Sequence, residues 1–535
     1  MKGSLRRALK EVLGQVPLTA ETYWWLRQRG AAVGKMRLPQ VAAHLPQWAA
    51  QAQAAAAATA QGRRVFLVAA LRLWIAHTTL VALGLAGLGH RVTLGYLPYP
   101  DWWTRVSRFD LRRMNAYLAR MLRPGAAAFT PLPLWPRPHA PALPPPLAQA
   151  VEEVTRFDVQ YTQQVETPDP HSPLYRLRHS RNTATARALL ALWQRQRPDV
   201  VIVPNGSILA FGAAYHTARY LDIPVVTYEF GEQRDRVWIA QNAQVMLQDT
   251  TALWQAVQQR PLSPSQWEQV KELFAARRGG RLWANFSRRW QDAPSQSGEQ
   301  ARRALGLDGR PLFLMATNVQ GDSLVLGREV FTRSMAEWVR ETVRYFARRP
   351  EVQLVIRIHP GEQRVKGPSL AEEVRRALPR LPEHIHLVPA DAKVNTYDLI
   401  ETAAAGLVFT TTVGLEMAMS GLPVVVAGKT HYRGRGFTFD PTTWDDYWQT
   451  LDALTRAPQR FRLSEQQIAL AWKYAYHFFF DYPLPFPWHL HFMEEDVRRH
   501  PWPEVWNPTS PWAKTLACFV GAPLPWESPS REDVS

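Results

Sequence analysis

Cysteine is nearly absent from this sequence, because the 535 residues include a single cysteine, Cys518. A disulfide within the chain is therefore excluded, and so is a zinc site built from several cysteines. One thiol in a chain of this length is typical of proteins that work in a reducing compartment. We therefore expect a cytoplasmic protein.

Long apolar runs are also missing. The most apolar stretch, residues 73–88, is shorter than the ~20 residues that a helix needs to cross a bilayer, and it contains His77. The first residues carry lysine and arginine but lack the apolar core of a secretory signal. The sequence therefore predicts no membrane-spanning segment.

Several catalytic motifs do not occur either. The chain has no GxxxxGK[ST] loop, no GxSxG elbow and no HExxH helix. His384 and His386 stand close together but have no evident carboxylate partner. We therefore expect no metal site and no obligate cofactor.

Positive charge is in excess, with 63 lysine and arginine residues against 46 acidic ones, a net charge of +17. Such a field attracts anions such as nucleotides, phosphorylated lipids or an acidic membrane face. No long basic block occurs, so a nucleic-acid partner is not expected. Trp24, Trp25, Arg27 and Arg29 fit an interfacial helix, which makes peripheral binding to an anionic inner membrane face a hypothesis. A plain packed helix is the alternative.

Strand-like and helical segments alternate in both halves of the chain, which is typical of parallel α/β domains. We predict an α/β fold with two Rossmann-like domains facing a cleft. A proline-rich stretch, residues 123–146, is predicted to be a long loop, because proline disrupts helices and central strands. The predicted parts are an N-terminal helical segment (1–60), a first Rossmann-like domain (61–295), a second one (305–450), and a C-terminal helix with a wrapping tail (460–535).

Candidate site residues of the second domain follow its strands, because ligands of parallel sheets bind beyond the carboxyl ends of the strands. His359, held by Pro360 and preceded by Arg357, ends one strand and can donate to a phosphate or exchange a proton. Asn318 lies in the turn after another strand and is a further candidate contact. The alternatives are a structural histidine and an ordinary polar loop.

A hydroxyl-rich loop follows a third strand. Thr411 and Thr412 lead into a helix that begins near Gly414, and helix N-termini hold phosphates. Glu416, in the first turn, is placed to accept from a sugar or ribose hydroxyl. Its alternative role is to complement the helix dipole.

The first domain offers Glu229 at a strand end as a candidate general base. The alternative is a loop carboxylate paired with a nearby arginine, Arg234 or Arg236. Further candidates on the acceptor side are Asn205, which follows a neighbouring strand, and two residues expected to precede a helix, Arg178 and Asn182.

The motifs of the second half resemble a known family. His359-Pro360, followed by Thr-Thr-Val-Gly-Leu-Glu at residues 411–416 and by Gly-Leu-Pro-Val-Val from Gly421, is similar to the bacterial capsule polysaccharide synthesis proteins. That family resembles glycosyltransferases of the two-Rossmann GT-B type. Tyr175, the run from Pro198 to Gly206 and Glu229-Phe-Gly match more loosely. The resemblance covers about residues 175–440.

The resemblance implies a nucleotide-activated sugar donor, CMP-linked in some relatives, bound at His359, Thr411 and Thr412 in the second domain. It implies a glycan or lipid-linked acceptor in the first. We therefore predict a glycosyltransferase acting on a surface polysaccharide or glycolipid, with the nucleotide sugar as co-substrate. Alternatives are a CDP-polyol phosphotransferase, a nucleotide-sugar epimerase, and a non-catalytic, membrane-associated glycan-binding scaffold.

Overall fold

The computed structural model describes residues 2–136, 141–286, 293–364 and 367–527, and the chain forms two compact units. The first unit consists of Met1–Asp158, Asp169–Met246 and Leu484–Pro525. The second consists of Val159–Pro168, Leu247–Pro483 and Trp526–Ser535. The second unit is thus largely an insertion between two parts of the first.

Eight helices and six strands precede residue 247. The helices are α1 (Lys2–Gln15), α2 (Thr19–Gln28), α3 (Pro39–Ala56), α4 (Arg72–Gly87), α5 (Arg108–Leu122), α6 (Pro145–Gln163), α7 (Pro173–Arg195) and α8 (Leu209–Tyr220). The strands are β1 (Arg64–Ala69), β2 (Arg91–Tyr96), β3 (Phe129–Pro133), β4 (Val200–Pro204), β5 (Val225–Glu229) and β6 (Arg236–Gln241).

The second unit alternates strands and helices in the same way. Its helices are α9 (Thr251–Val257), α10 (Pro264–Arg278), α11 (Gly298–Ala304), α12 (Met335–Phe346), α13 (Leu370–Ala377), α14 (Thr396–Thr402), α15 (Val413–Met419), α16 (Trp444–Arg456) and α17 (Glu465–Tyr476). Its strands are β7 (Leu312–Ala316), β8 (Gln353–Arg357), β9 (Ile385–Val388), β10 (Ala405–Val408) and β11 (Val424–Val426). The chain then returns to the first unit with β12 (Leu484–Pro485), α18 (Met493–Arg499), α19 (Trp502–Trp506) and α20 (Pro511–Phe519).

The sheet of the first unit has seven strands in the order β12-β6-β5-β4-β1-β2-β3. The five strands from β5 to β3 pair in parallel, whereas β6 and β12 add two antiparallel pairings. All five residues of β4, Val-Val-Ile-Val-Pro, are buried, as expected for a central parallel strand covered on both faces.

The sheet of the second unit has five parallel strands in the order β11-β10-β7-β8-β9. Every residue of β7, β8 and β10 is buried, and large aromatic side chains such as Trp338, Phe313 and Phe346 fill the core beside them. Polar side chains cap two of its helices: Asn395 accepts from the Tyr397 N–H at the start of α14, and Ser464 with Gln467 forms a capping box at the start of α17. The predicted α/β fold with two Rossmann-like units is confirmed, while the cleft between them stays a prediction.

The proline-rich stretch is more ordered than expected. Phe129–Pro133 forms β3, which pairs with β2 at the edge of the sheet. Proline is tolerated there because an edge strand has one side without ladder hydrogen bonds. The loop prediction is therefore wrong for these five residues, and residues 137–140 of the stretch lie outside the described residues.

The division between the units also differs from the predicted boundary near residue 295. Residues 247–286 lie in the second unit, where Phe274 of α10 packs edge-to-face on Trp472 of α17. The C-terminal segment from Leu484 lies in the first unit, where the Trp506 indole N–H donates to the Gly84 carbonyl of α4 at 3.1 Å. Within the described residues, no helix combines the length and apolar composition that spanning a membrane requires.

Candidate active site

The strand ends of the second unit lie side by side, because β10, β7 and β8 are neighbours in its sheet. Two residues that follow β7 connect them. The Asn318 side-chain oxygen accepts from the Thr410 backbone N–H at 3.1 Å, and the Thr317 hydroxyl accepts from the His359 N–H at 3.0 Å. The structure therefore brings Asn318, His359 and residues 410–412, the threonine loop, to one edge of one sheet.

His359 is held in a defined orientation. Its Nδ1 accepts a hydrogen bond of 2.9 Å from the Gly361 backbone N–H, so the neutral imidazole carries its proton on Nε2. The side chain is half-buried at the strand end. An imidazole fixed in this way can present an N–H donor to an anion.

The Arg357 guanidinium donates hydrogen bonds to backbone carbonyls. Nη1 donates to the Pro389 carbonyl at 2.6 Å, and Nη2 lies 3.3 and 3.4 Å from the carbonyls of Ala392 and Val394. Burial lowers the pKa of Arg357 to about 10, so the group is still charged at neutral pH. Arg357, the candidate donor-site residue beside His359, thus supports the loop after β9 through its guanidinium.

Gly414 is required by packing. An added Cβ would lie 2.2 Å from the Tyr432 hydroxyl and 2.8 Å from Val408, and the same hydroxyl donates to the Thr411 carbonyl at 2.6 Å. Thr411 and Thr412 are half-buried, and Thr412 precedes α15 without a side-chain capping bond. The missing side chain of Gly414 thus makes room for Tyr432.

Glu416 lies in a buried ion pair. Its carboxylate is 2.5 Å from Nη2 of Arg277 on α10, and the two side chains are 2% and 5% exposed. Arg277 also stacks on Phe479 and lies 3.4 Å from the Tyr397 hydroxyl. The partner was missed because α10 had been assigned to the first domain. A structural role for Glu416 therefore explains its position better than the predicted contact with a donor hydroxyl.

A basic loop after β11 completes this edge and was not predicted. Residues 428–436 read Gly-Lys-Thr-His-Tyr-Arg-Gly-Arg-Gly, and the Thr430 hydroxyl donates to the Thr410 carbonyl at 3.3 Å. Burial, with Arg328 and Arg435 nearby, lowers the pKa of His431 well below its usual value. The sequence did indicate this loop, because a run of basic residues interrupted by glycines directly follows the strand.

Several buried polar atoms in the strand ends and loops of the second unit have no partner. Four such side-chain atoms make no hydrogen bond to any described residue: Thr410 Oγ1, Arg357 Nε, His431 Nε2 and Arg435 Nε. Such atoms are uncommon in folded proteins and call for an explanation. The two guanidinium nitrogens are donors and suit an anionic ligand, whereas His431 Nε2 is an acceptor in the neutral ring, because Nδ1 donates to the Tyr474 hydroxyl. Within the described part of the chain, no cluster of histidine, cysteine, aspartate and glutamate suits a metal ion.

The carboxyl edge of the first sheet holds Glu229. One carboxylate oxygen accepts from the Asn205 amide at 3.1 Å, the other from the Phe230 backbone N–H at 3.0 Å. Burial raises the pKa of Glu229, and the two hydrogen bonds oppose that shift. Arg234 pairs instead with Glu495 and Asp496, so the alternative of a Glu229–Arg234 pair is wrong.

Backbone strain accompanies this edge. Leu71, Asn205 and Leu209 follow the ends of β1 and β4 and have φ values of 65°, 58° and 59°. Leucine in this region costs on the order of 1–3 kcal/mol, and such strain clusters at functional sites. The strained residues therefore lie after β1 and β4, at the same carboxyl edge of the sheet as Glu229.

Arg178 and Asn182 lie inside α7 and not before a helix, so their predicted position is wrong. Both are buried, and Arg178 donates to the Asp158 carboxylate of α6 at 3.1 Å while Asn182 donates to the Thr155 hydroxyl at 3.2 Å. Burial raises the pKa of Asp158, and the Arg178 charge opposes the shift. These residues fasten α6 to α7, whereas Asn205 is the acceptor-side candidate that lies beside Glu229.

The chain is similar in fold to several solved structures. No curated protein matches its sequence. Among solved structures, Thermosulfurimonas dismutans KpsC, beta Kdo 2,4 transferase, is 18% identical, with 54% of this chain and 82% of that chain covered and a TM-score of 0.36. The UDP-GlcNAc 2-epimerase from Neisseria meningitidis is 13% identical, with 78% and 98% covered and a TM-score of 0.26. The calicheamicin glycosyltransferase CalG4 is 15% identical, with 86% and 100% covered and a TM-score of 0.25.

The family comparison concerns the second half of the chain, where the sequence motifs lie. Residues 283–479 match the family model described as "Capsule polysaccharide biosynthesis protein". The matched range contains His359, the threonine loop and the basic loop. The resemblance to the capsule polysaccharide biosynthesis proteins is thereby confirmed over residues 283–479 of this chain.

Proposed function

We propose that the protein is a glycosyltransferase that moves a sugar from a nucleotide-activated donor to a glycan or lipid-linked acceptor in surface polysaccharide synthesis. The family match over residues 283–479 supports the biosynthetic context. The observation that carries the proposal is that the loops after β7, β8 and β10 lie at one edge of the second sheet, with buried side-chain atoms of Thr410 and Arg435 that have no hydrogen-bond partner among the described residues. A nucleotide phosphate supplies the acceptors that these atoms lack.

The donor site would work by stabilising the leaving group. When the bond between the anomeric carbon and the phosphate oxygen breaks, its electron pair stays on the nucleotide phosphate. The Nε2–H of His359, the hydroxyls of Thr410 and Thr411 and the charge of Arg435 would stabilise that negative charge. Arg357 and Glu416 act as positioning residues in this proposal, because their charged groups already bind the protein.

Glu229 is the proposed general base. Its carboxylate would accept the proton of the acceptor hydroxyl while that oxygen bonds to the anomeric carbon. The raised pKa makes the carboxylate a stronger base than an ordinary glutamate, and the Asn205 amide orients it. A peripheral position at the inner membrane face would suit a lipid-linked acceptor.

Calorimetry with CMP, CDP, UDP and GDP tests the donor site. We expect one nucleotide to bind, and His359→Ala to weaken it by about tenfold to a hundredfold, the loss of one charge-assisted hydrogen bond. His386→Ala is the matched control, because His386 lies on the neighbouring strand β9 and its replacement should leave the affinity unchanged. Equal affinity of His359→Ala and wild type would show that His359 is not in the donor site.

Product analysis separates the alternatives. A glycosyltransferase releases nucleotide only when acceptor is present, whereas an epimerase converts a free nucleotide sugar without acceptor. A phosphotransferase would release CMP from a CDP-linked donor and leave a phosphodiester in the product. A protein that binds none of the four nucleotides would be a non-catalytic scaffold. Glu229→Gln should abolish transfer and retain nucleotide binding, while Glu232→Gln in the same loop should retain both.

A further inference from the structure

Helix α1 exposes a continuous apolar stripe. Leu5, Leu9 and Val12 follow one another at intervals of four and three residues, which places them on one side of the helix, and Val16 comes directly after its last residue, Gln15. Their exposed fractions are 74% for Leu5, 56% for Leu9, 62% for Val12 and 47% for Val16. The opposite side packs on α5, where an added Cβ on Gly14 would lie 2.5 Å from the Phe109 nitrogen.

Helix α2 and the residue before it expose further apolar side chains. Leu18, Trp25 and Leu26 are 70%, 52% and 75% exposed, whereas Trp24 is buried and donates to the Ala31 carbonyl at 2.6 Å. Of the 14 large hydrophobic side chains that are exposed within the described residues, eight lie between residues 5 and 26. Such clustering marks an interaction surface, since single exposed side chains are ordinary and contiguous patches are not.

The positive charge of the chain is concentrated in the first quarter of the sequence, which contains α1 and α2. Residues 1–130 contain 18 lysine and arginine residues against 4 aspartate and glutamate residues, a net charge of +14. The remaining 405 residues contain 45 against 42 and contribute only +3. The first quarter of the chain therefore carries nearly all of the excess positive charge.

The few carboxylates of this region are engaged within the protein. Asp110 pairs with Lys10 and Arg113, and Glu21 pairs with Arg112. The other two accept backbone N–H bonds, Asp101 from Thr104 at 2.8 Å and Glu11 from Arg108 at 3.5 Å. By contrast Arg27 and Arg29, beside the apolar surface, are exposed.

We propose that α1 and α2 form a docking face for an anionic phospholipid bilayer. The docking face consists of Leu5, Leu9, Val12, Val16, Leu18, Trp25 and Leu26. The apolar side chains would enter the boundary between headgroups and acyl chains, and the surrounding positive charge would bind anionic headgroups. Helices of 14 and 10 residues are too short to span a bilayer and would lie in its plane. The proposal is independent of the proposed transferase activity.

Flotation with vesicles tests the apolar part. The full chain should float with phosphatidylcholine vesicles that contain phosphatidylglycerol, and much less with phosphatidylcholine alone. Replacing three side chains of the docking face by serine should lower the partition coefficient at least about tenfold: Leu9, Val12 and Leu26. The matched control replaces three exposed hydrophobic residues of the second unit by serine and should bind as wild type: Leu247, Leu282 and Val330.

Charge reversal tests the electrostatic part. Arg27→Glu/Arg29→Glu should weaken binding to phosphatidylglycerol vesicles, and added salt should weaken wild-type binding, since ions screen exposed charges. Arg375→Glu/Arg380→Glu changes the net charge equally at exposed sites of the second unit and should have little effect. Nucleotide affinity should be the same in all variants, which separates this proposal from the donor-site proposal.

Two outcomes would overturn the proposal. The first is equal flotation of wild type and the triple serine variant of the docking face. The second is absence of vesicle binding together with a wild-type oligomer that the same variant converts to a monomer in sedimentation. That result would make the face a contact between copies of the chain.

Discussion

Replacing Arg277 by methionine should destabilise the second unit strongly. Arg277 and Glu416 lie 2.5 Å apart with side chains 5% and 2% exposed, so removing the cation leaves a buried carboxylate without its counter-charge. Breaking such a pair costs about 3–5 kcal/mol. Methionine can pack on Phe274 and Phe479 but removes the two cation–π contacts, so the loss reports on the guanidinium charge as a whole.

Urea unfolding of the full chain measures the effect. Arg303→Met is the control, because the Arg303–Glu299 pair has side chains 64% and 78% exposed and should contribute less than about 1 kcal/mol. The double variant Arg277→Met/Glu416→Gln should recover part of the loss, since neither charge is then buried alone. A change below about 1 kcal/mol for Arg277→Met would refute the structural role of the pair and restore Glu416 as a ligand contact.

Three further predictions concern single sites. Gly414→Ala should cost about 1–3 kcal/mol because its Cβ meets the Tyr432 hydroxyl, and Tyr432→Phe should relieve part of that cost in denaturant unfolding. Asn205→Ala removes a hydrogen bond that favours ionised Glu229, so the pKa should rise further and the acidic limb of the kcat/KM profile should move to higher pH; an unchanged limb would exclude Glu229 as the base. Ser464→Ala removes the capping box of α17 and should cost about 1 kcal/mol, seen as a lower Tm.

The parallel core of both units was predictable because its signals are local. Buried runs such as Val-Val-Ile-Val before Pro204, and the apolar face of α12, show their periodicity within a few residues. Antiparallel β6 was not predicted, although it pairs with the nearby strand β5 and its buried Val237 and Ile239 alternate with half-buried residues. Its second partner, β12, could not be inferred, because it lies more than 200 residues further along the chain. The edge strand β3 was not predicted, because its two prolines usually indicate a loop.

The neighbourhood of the candidate residues was predictable, but their partners were not. The rule that ligands bind at the carboxyl ends of strands selected the loops after β7, β8 and β10, which lie at one edge of the sheet, and their role as a binding site stays a prediction. The ion-pair partners of Glu416 and Arg178 could not be predicted from the sequence, because ion pairs between distant elements leave no periodic pattern. The basic loop after Gly428 did leave a signal, and its composition alone identifies it.

The way the chain returns to its first unit has a consequence for synthesis. Strand β12 covers the edge of β6, and the Phe486 N–H donates to the Asp235 carbonyl at 2.8 Å beside it. The backbone carbonyl of Trp488 and the indole of Trp506 contact α4 at the other end of the sequence. A nascent chain that ends at Pro483 therefore contains the main body of the second unit, while the first unit still has an open strand edge and an uncovered helix. The first unit begins first but cannot close its sheet until the main body of the second has been made, and until then its open edge is a surface that a chaperone or a neighbouring nascent chain can bind.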